Sequence, residues 1–100
     1  MAAKILIKRE FKSGSRKEIL VLLNDLRSAA LKQEGYISGL TLTDPKNSNK
    51  TLIIGTWQSL EEWNRWKEHP DRQRLEAMLE IYQESPAIYE AYVVGTGFTK

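Results

Sequence analysis

The sequence predicts an α+β domain of β-α-β-β-α-β order, with a four-stranded antiparallel sheet carrying its helices on one face. Three observations predict it. Two Ser-x-x-Glu boxes, Ser15 to Glu18 and Ser59 to Glu62, mark helix starts. Short apolar runs rich in β-branched residues flank each helical stretch. Between the helices, Asp44-Pro-Lys-Asn-Ser-Asn49 is turn chemistry joining two such runs into a hairpin.

Each element follows from its residues. Lys4 to Phe11 reads as a strand that Ser13-Gly14 interrupts. Behind the first box, Ile19, Leu22, Leu23, Leu26 and Ala30 recur at helical spacing, and Gly35 suits the position past the helix end. Tyr36 to Thr43 and Thr51 to Trp57 are the two hairpin strands. The second box opens a short helix with Trp63 and Trp66 three residues apart, on one face. His69-Pro70 breaks it, because the residue before proline is driven out of the helical region. A further helix places Leu75, Met78, Leu79 and Tyr82 on one side, Ser85-Pro86 ends it, and Ala87 to Gly95 is the last strand. This order is the ferredoxin-like split βαβ arrangement.

The 100 residues make one domain, with 41% hydrophobic and 28% charged residues. A chain of this length buries roughly 65% of its unfolded surface, which favours burying more in an oligomer. The strands are apolar on both faces. Leu52 and Ile54 oppose Ile53 and Trp57, and Ile88, Tyr92 and Val94 oppose Tyr89, Ala91 and Val93. A sheet wet on one side alternates cleanly. The expectation is therefore a homodimer formed through the sheet face that the helices leave open.

Composition narrows the chemistry. Without cysteine there is no disulfide or thiolate chemistry, and with one histidine a zinc site is not expected. A net charge of +2 with no long basic run argues against nucleic acid. The first and third strands also lack the stacking aromatics of RNA-binding domains of the same order. No apolar run suggests a membrane span or a secretory signal, so a cytoplasmic protein is expected.

The aromatic-rich segment Trp57 to Arg72 holds the candidate site. Trp57 and Trp63 suit either core packing or a substrate-binding wall, and Trp66, near the helix end, suits core packing and pocket lining equally. His69 is a candidate general base or an exposed loop residue; as a base, its ring would face a cavity of roughly 300 Å³ or more. Arg72 suits an anionic substrate group or a surface carboxylate, and Tyr36 could present its hydroxyl to a pocket. Gly39 and Gly55 lie inside strands, where a missing side chain leaves room for a ligand or a bulge.

The segment Trp57-x-Ser59-x-Glu61-x-Trp63-x-x-Trp66-x-x-His69-Pro70-x-Arg72 resembles the central motif of the antibiotic-biosynthesis-monooxygenase family. Gly35-Tyr36-Ile37 and Pro86-x-x-Tyr89-Glu90-x-Tyr92 resemble its flanking strands, so the likeness spans nearly the whole chain. The resemblance implies a dimeric ferredoxin-like fold with a cavity between sheet and helices. It implies oxidation of a small aromatic phenol or quinol by O2 without metal or other cofactor, with His69, Trp66 and Tyr36 catalytic and Trp57, Trp63 and Arg72 binding substrate. The family's haem-degrading branch is a poorer match. Where that branch has a first-strand asparagine this chain reads Lys8-Arg9-Glu10, and where it has a helical histidine this chain has Glu76. A non-catalytic dimeric ligand-binding or stress-response module is the alternative from another class.

Overall fold

The computed structural model describes residues 1–95. Its elements run β1 (Ala3–Glu10), α1 (Arg16–Leu31), β2 (Tyr36–Asp44), β3 (Asn47–Trp57), α2 (Leu60–Lys67), α3 (Pro70–Glu80) and β4 (Ile88–Val93). The strands form one antiparallel sheet in the order β2-β3-β1-β4. This is the ferredoxin-like α+β arrangement, with the second helical stretch divided in two.

The helix boundaries have local causes. Ser59 Oγ accepts the Glu62 amide (3.4 Å) and donates to Glu62 Oε1 (3.0 Å), so the Ser59 side chain caps α2. In the first box, Ser15 occupies the N-cap position of α1, but its side chain makes no capping bond. Gly35 has φ +89°, a conformation that disfavours any side chain, and a Cβ there would collide with the Glu62 carboxylate. Pro70 starts α3, where its missing N–H costs nothing.

Strand ends differ from expectation at the hairpin. β3 begins at Asn47, because the turn uses only Pro45 and Lys46 and the Asp44 carboxylate accepts the Lys46 amide (2.8 Å). The polar run after it then continues as strand. At the other end, β4 stops at Val93. Phe11 falls just outside β1 and bridges to Gln83.

Two buried clusters hold the helices on the sheet. Ala3, Ile5, Ile7, Ala30, Trp57, Trp63 and Trp66 form the first; Phe11, Ile19, Leu22, Leu75 and Leu79 form the second under α1 and α3. Met78, expected on the buried side of α3, is 44% exposed. No helix among the described residues is long and apolar enough to cross a membrane.

Candidate functional site

Alternation along β1 turns Ala3, Ile5, Ile7 and Arg9 toward the helices. The cross-strand register places Trp57, Gly55, Ile53 and Thr51 of β3 beside them, on the same face. Gly55 pairs in turn with Gly39 of β2, so two adjacent positions of this face carry no side chain. A Cβ at Gly39 would strike the Tyr36 hydroxyl, and one at Gly55 would stand 3.5 Å from Trp57 Nε1. Above this bare patch lies a cavity of about 190 Å³ between the sheet and the helices.

Its walls come from every layer. β1 and β3 provide Ile5, Ile7, Arg9, Ile53 and Trp57, α2 provides Trp63 and Trp66, and α3 provides Arg72 and Glu76. Tyr36 and, from α1, Arg27 also line it. The aromatics are in mutual contact: Tyr36 meets Trp57 edge-on at 5.2 Å, Trp57 lies 6.0 Å from Trp63, and Trp63 lies 6.3 Å from Tyr89. All three tryptophans are buried. They serve as core and as cavity wall at once, so the two readings of their role are not alternatives.

A charged cluster closes one side. Arg9 grips Glu76 with both terminal nitrogens, Nη1 to Oε1 and Nη2 to Oε2, each at 2.7 Å. Its Nη1 also donates to Gln83 Oε1 (3.0 Å). Arg72, stacked 5.1 Å over Trp63 and 5.4 Å over Tyr89, shares the same carboxylate through Nη2 (3.0 Å) and donates to Tyr89 Oη (2.8 Å). Burial pushes the Glu76 carboxyl up, but the Arg9 hydrogen bond and the charges of Arg9 and Arg72 outweigh it. Glu76 is therefore held below the usual carboxylate range and stays ionised.

The expected site residues divide. Tyr36, Trp57, Trp63, Trp66 and Arg72 come together around the cavity. His69 does not line it. Its ring packs 5.4 Å from Trp66, and its Nδ1 accepts the Asp71 amide (3.1 Å) as the N-cap of α3. Pro70 at the first helical position makes the preceding residue the N-cap, and a neutral imidazole nitrogen fills that role. The 3.9 Å approach of the same nitrogen to Asp71 Oδ2 is an ion pair only when the ring is protonated, and protonation ends the cap bond. Arg9 and Glu76 are the site residues that sequence reasoning passed over. The signal for Arg9 was its phase: it continues the inward series Ala3, Ile5, Ile7.

No group of three or more His, Cys, Asp or Glu side chains suited to a metal occurs among the described residues. No curated protein matches the chain. Solved structures do. A conserved protein from Methanosarcina mazei Go1 superposes with a TM-score of 0.86 at 16% identity, covering 92% of this chain and 91% of its own. SnoaB, a cofactor-independent oxygenase from Streptomyces nogalater, superposes with a TM-score of 0.83 at 11% identity, covering 99% and 98%. Identities this low show a shared fold and nothing finer. The antibiotic biosynthesis monooxygenase family model matches residues 3–78, a span that contains the aromatic walls and both ends of the Arg9–Glu76 pair. The chain belongs to the antibiotic biosynthesis monooxygenase family.

Proposed function

We propose that the chain is a cofactor-independent monooxygenase that oxidises a small, single-ring phenol or quinol with O2. The observation that carries this reading is the cavity: three tryptophans and Tyr36 line it, and Arg72 stands at its wall. Its size fits one ring, since a cavity of about 150 Å³ is enough to hold benzene.

In this reading the ring lies against Trp57, Trp63 and Trp66, which exclude water. The substrate hydroxyl gives its proton to bulk water before the ring enters, and the Arg72 guanidinium and Tyr36 hydroxyl hold the resulting oxyanion. The ionised ring is then electron-rich enough to reduce O2 itself. For a hydroquinone the net change is hydroquinone and O2 to hydroxyquinone and water. One oxygen atom enters the ring, and the other leaves as water with two substrate hydrogens. The substrate supplies all four electrons, so no outside reductant is needed. His69 takes no part in this scheme, because its Nδ1 caps α3 and its ring is not in the cavity wall.

The working unit in this reading is a homodimer. Leu40, Leu42, Ile88 and Tyr92, on the sheet face away from the helices, are 55%, 43%, 58% and 56% exposed. A second copy of the same face would cover them. A monomeric mass in solution at micromolar concentration would remove this part.

The lining without histidine, and its one carboxylate tied to two arginines, favour a second reading as a ligand-binding module without turnover. Oxygen consumption by metal-free protein on hydroquinones and single-ring phenols separates the two. Turnover above background that Trp66→Ala abolishes, in a variant that keeps its fold, supports the oxygenase. Ligand binding without oxygen uptake supports the module.

A further inference from the structure

Three guanidinium groups, Arg9, Arg27 and Arg72, line the cavity, and Glu76 is the one carboxylate that does so among the described residues. The wall is therefore unevenly charged. Arg9 spends both terminal nitrogens on Glu76 and Gln83, and its Nε is buried without a partner. Arg27 is engaged by the Gly39 carbonyl, which accepts from its Nη2 at 2.6 Å. Arg72 differs. Only its Nη2 is bonded, to Tyr89 Oη and Glu76 Oε2, and its Nε and Nη1 donate to nothing among the described residues. Yet Arg72 as a whole is 5% exposed.

Donors that line a cavity without a protein partner are available to a ligand. Glu76 cannot neutralise Arg72 alone, because it already serves Arg9 with both oxygens. The guanidinium carbon lies 5.1 Å from the Trp63 ring centre and 5.4 Å from that of Tyr89, so the charge sits beside the aromatic wall. A ligand ring lying along that wall would bring a planar oxyanion attached to it within reach of the guanidinium.

We propose that this cavity selects an aromatic oxyanion, a single ring bearing a carboxylate or an ionised hydroxyl, with Arg72 as the residue that discriminates anion from neutral isostere. The proposal rests on the cavity being the ligand site, as in the function proposed above, and names the class of molecule it takes. Glu76 serves as a positioning residue that holds Arg9 and Arg72 side by side without cancelling both.

The test is binding, read by quenching of the three cavity tryptophans in the full chain. Benzoate is compared with benzamide, its neutral isostere. 4-Nitrophenol, whose phenolate reports itself by absorbance, forms a second arm and tells a phenolate preference from a carboxylate one. Benzoate or 4-nitrophenolate is expected to bind about tenfold or more tightly than benzamide. Bound nitrophenol is expected to stay ionised at a lower pH than the free dye. Arg72→Met should erase the preference for the anion while leaving benzamide affinity in place, and Arg72→Lys should restore part of it. Benzamide binding as tightly as both anions overturns the proposal, as does a preference that survives Arg72→Met. Failure of every probe to bind overturns it too. If Arg72→Met fails to fold, the wild-type comparison still decides. Oxygen uptake does not enter these measurements. Anion binding without turnover would sink the oxygenase and leave this inference standing, and turnover of neutral quinols without anion preference would do the reverse.

Discussion

The two faces of the sheet use the same strands for opposite purposes. On the helix side, β1 and β3 present Ala3, Ile5, Ile7, Trp57 and Gly55, and among these apolar groups the chain buries two arginines and holds a partly buried glutamate. On the outer side, the alternate residues include the half-buried Leu6, Leu52 and Ile54, and the neighbouring strands add the exposed Leu40, Leu42, Ile88 and Tyr92. A lone soluble domain would be expected to do the reverse, with charge outside and hydrocarbon inside. The inner anomaly is internally paired and borders a cavity, which is what the proposed ligand site needs. The outer anomaly has no counterpart among the described residues, which is what the proposed dimer needs.

Four substitutions test this contrast, in order of expected effect. On the inner face, Glu76→Gln leaves two buried guanidiniums short of their anion, and a loss of roughly 3–5 kcal/mol is expected in urea unfolding at neutral pH. The pH dependence has a definite sign. The folded-state pKa of Glu76 lies below its ordinary value of 4.5, so its contribution is present above that value and is lost as pH falls through the lower, folded one. The gap between wild type and variant should therefore narrow in acid; a gap constant with pH would mean that Glu76 is not held ionised by its arginines. Arg72→Met is expected to lower kcat/KM by about 100-fold, on whichever quinol proves to be a substrate, while leaving the oligomeric state unchanged.

On the outer face, Ile54→Lys puts a charge in the middle of the apolar patch. Sedimentation should show a shift toward monomer, while benzoate binding inside the cavity persists. Loss of both together would mean that the faces are not independent. The smallest effect is expected at His69→Ala, which removes the α3 cap. A loss of about 1 kcal/mol in thermal or urea unfolding is expected, with turnover unchanged. A collapse of turnover in a folded His69→Ala protein would return the histidine to the chemistry.

The elements were legible because their signals are local. Ser59, Gly35, Pro70 and the apolar spacing of α1 each act within a few residues, and the structure shows each acting so. The tryptophan wall was legible for the same reason, being packed into ten positions. The charged cluster was not. Arg9 and Glu76 are 67 residues apart, and nothing near either one marks it as buried except the inward phase of β1. Charged residues are usually solvated, so composition alone sends both to the surface. His69 shows the converse limit. Its residue type suggested acid–base chemistry, whereas its place before Pro70 marked the start of a helix, and the structure shows the second of these.

That break has an effect of its own. Trp66 and Arg72 are six positions apart, and on one unbroken helix they would point about 120° away from each other. Because the chain restarts at Pro70, α3 takes a fresh rotation about its axis, and both side chains reach the same cavity. The wall is thus made of two panels on a joint. One panel carries the aromatic surface and the other carries the charge, and Arg72 lying over Trp63 latches the two across the joint.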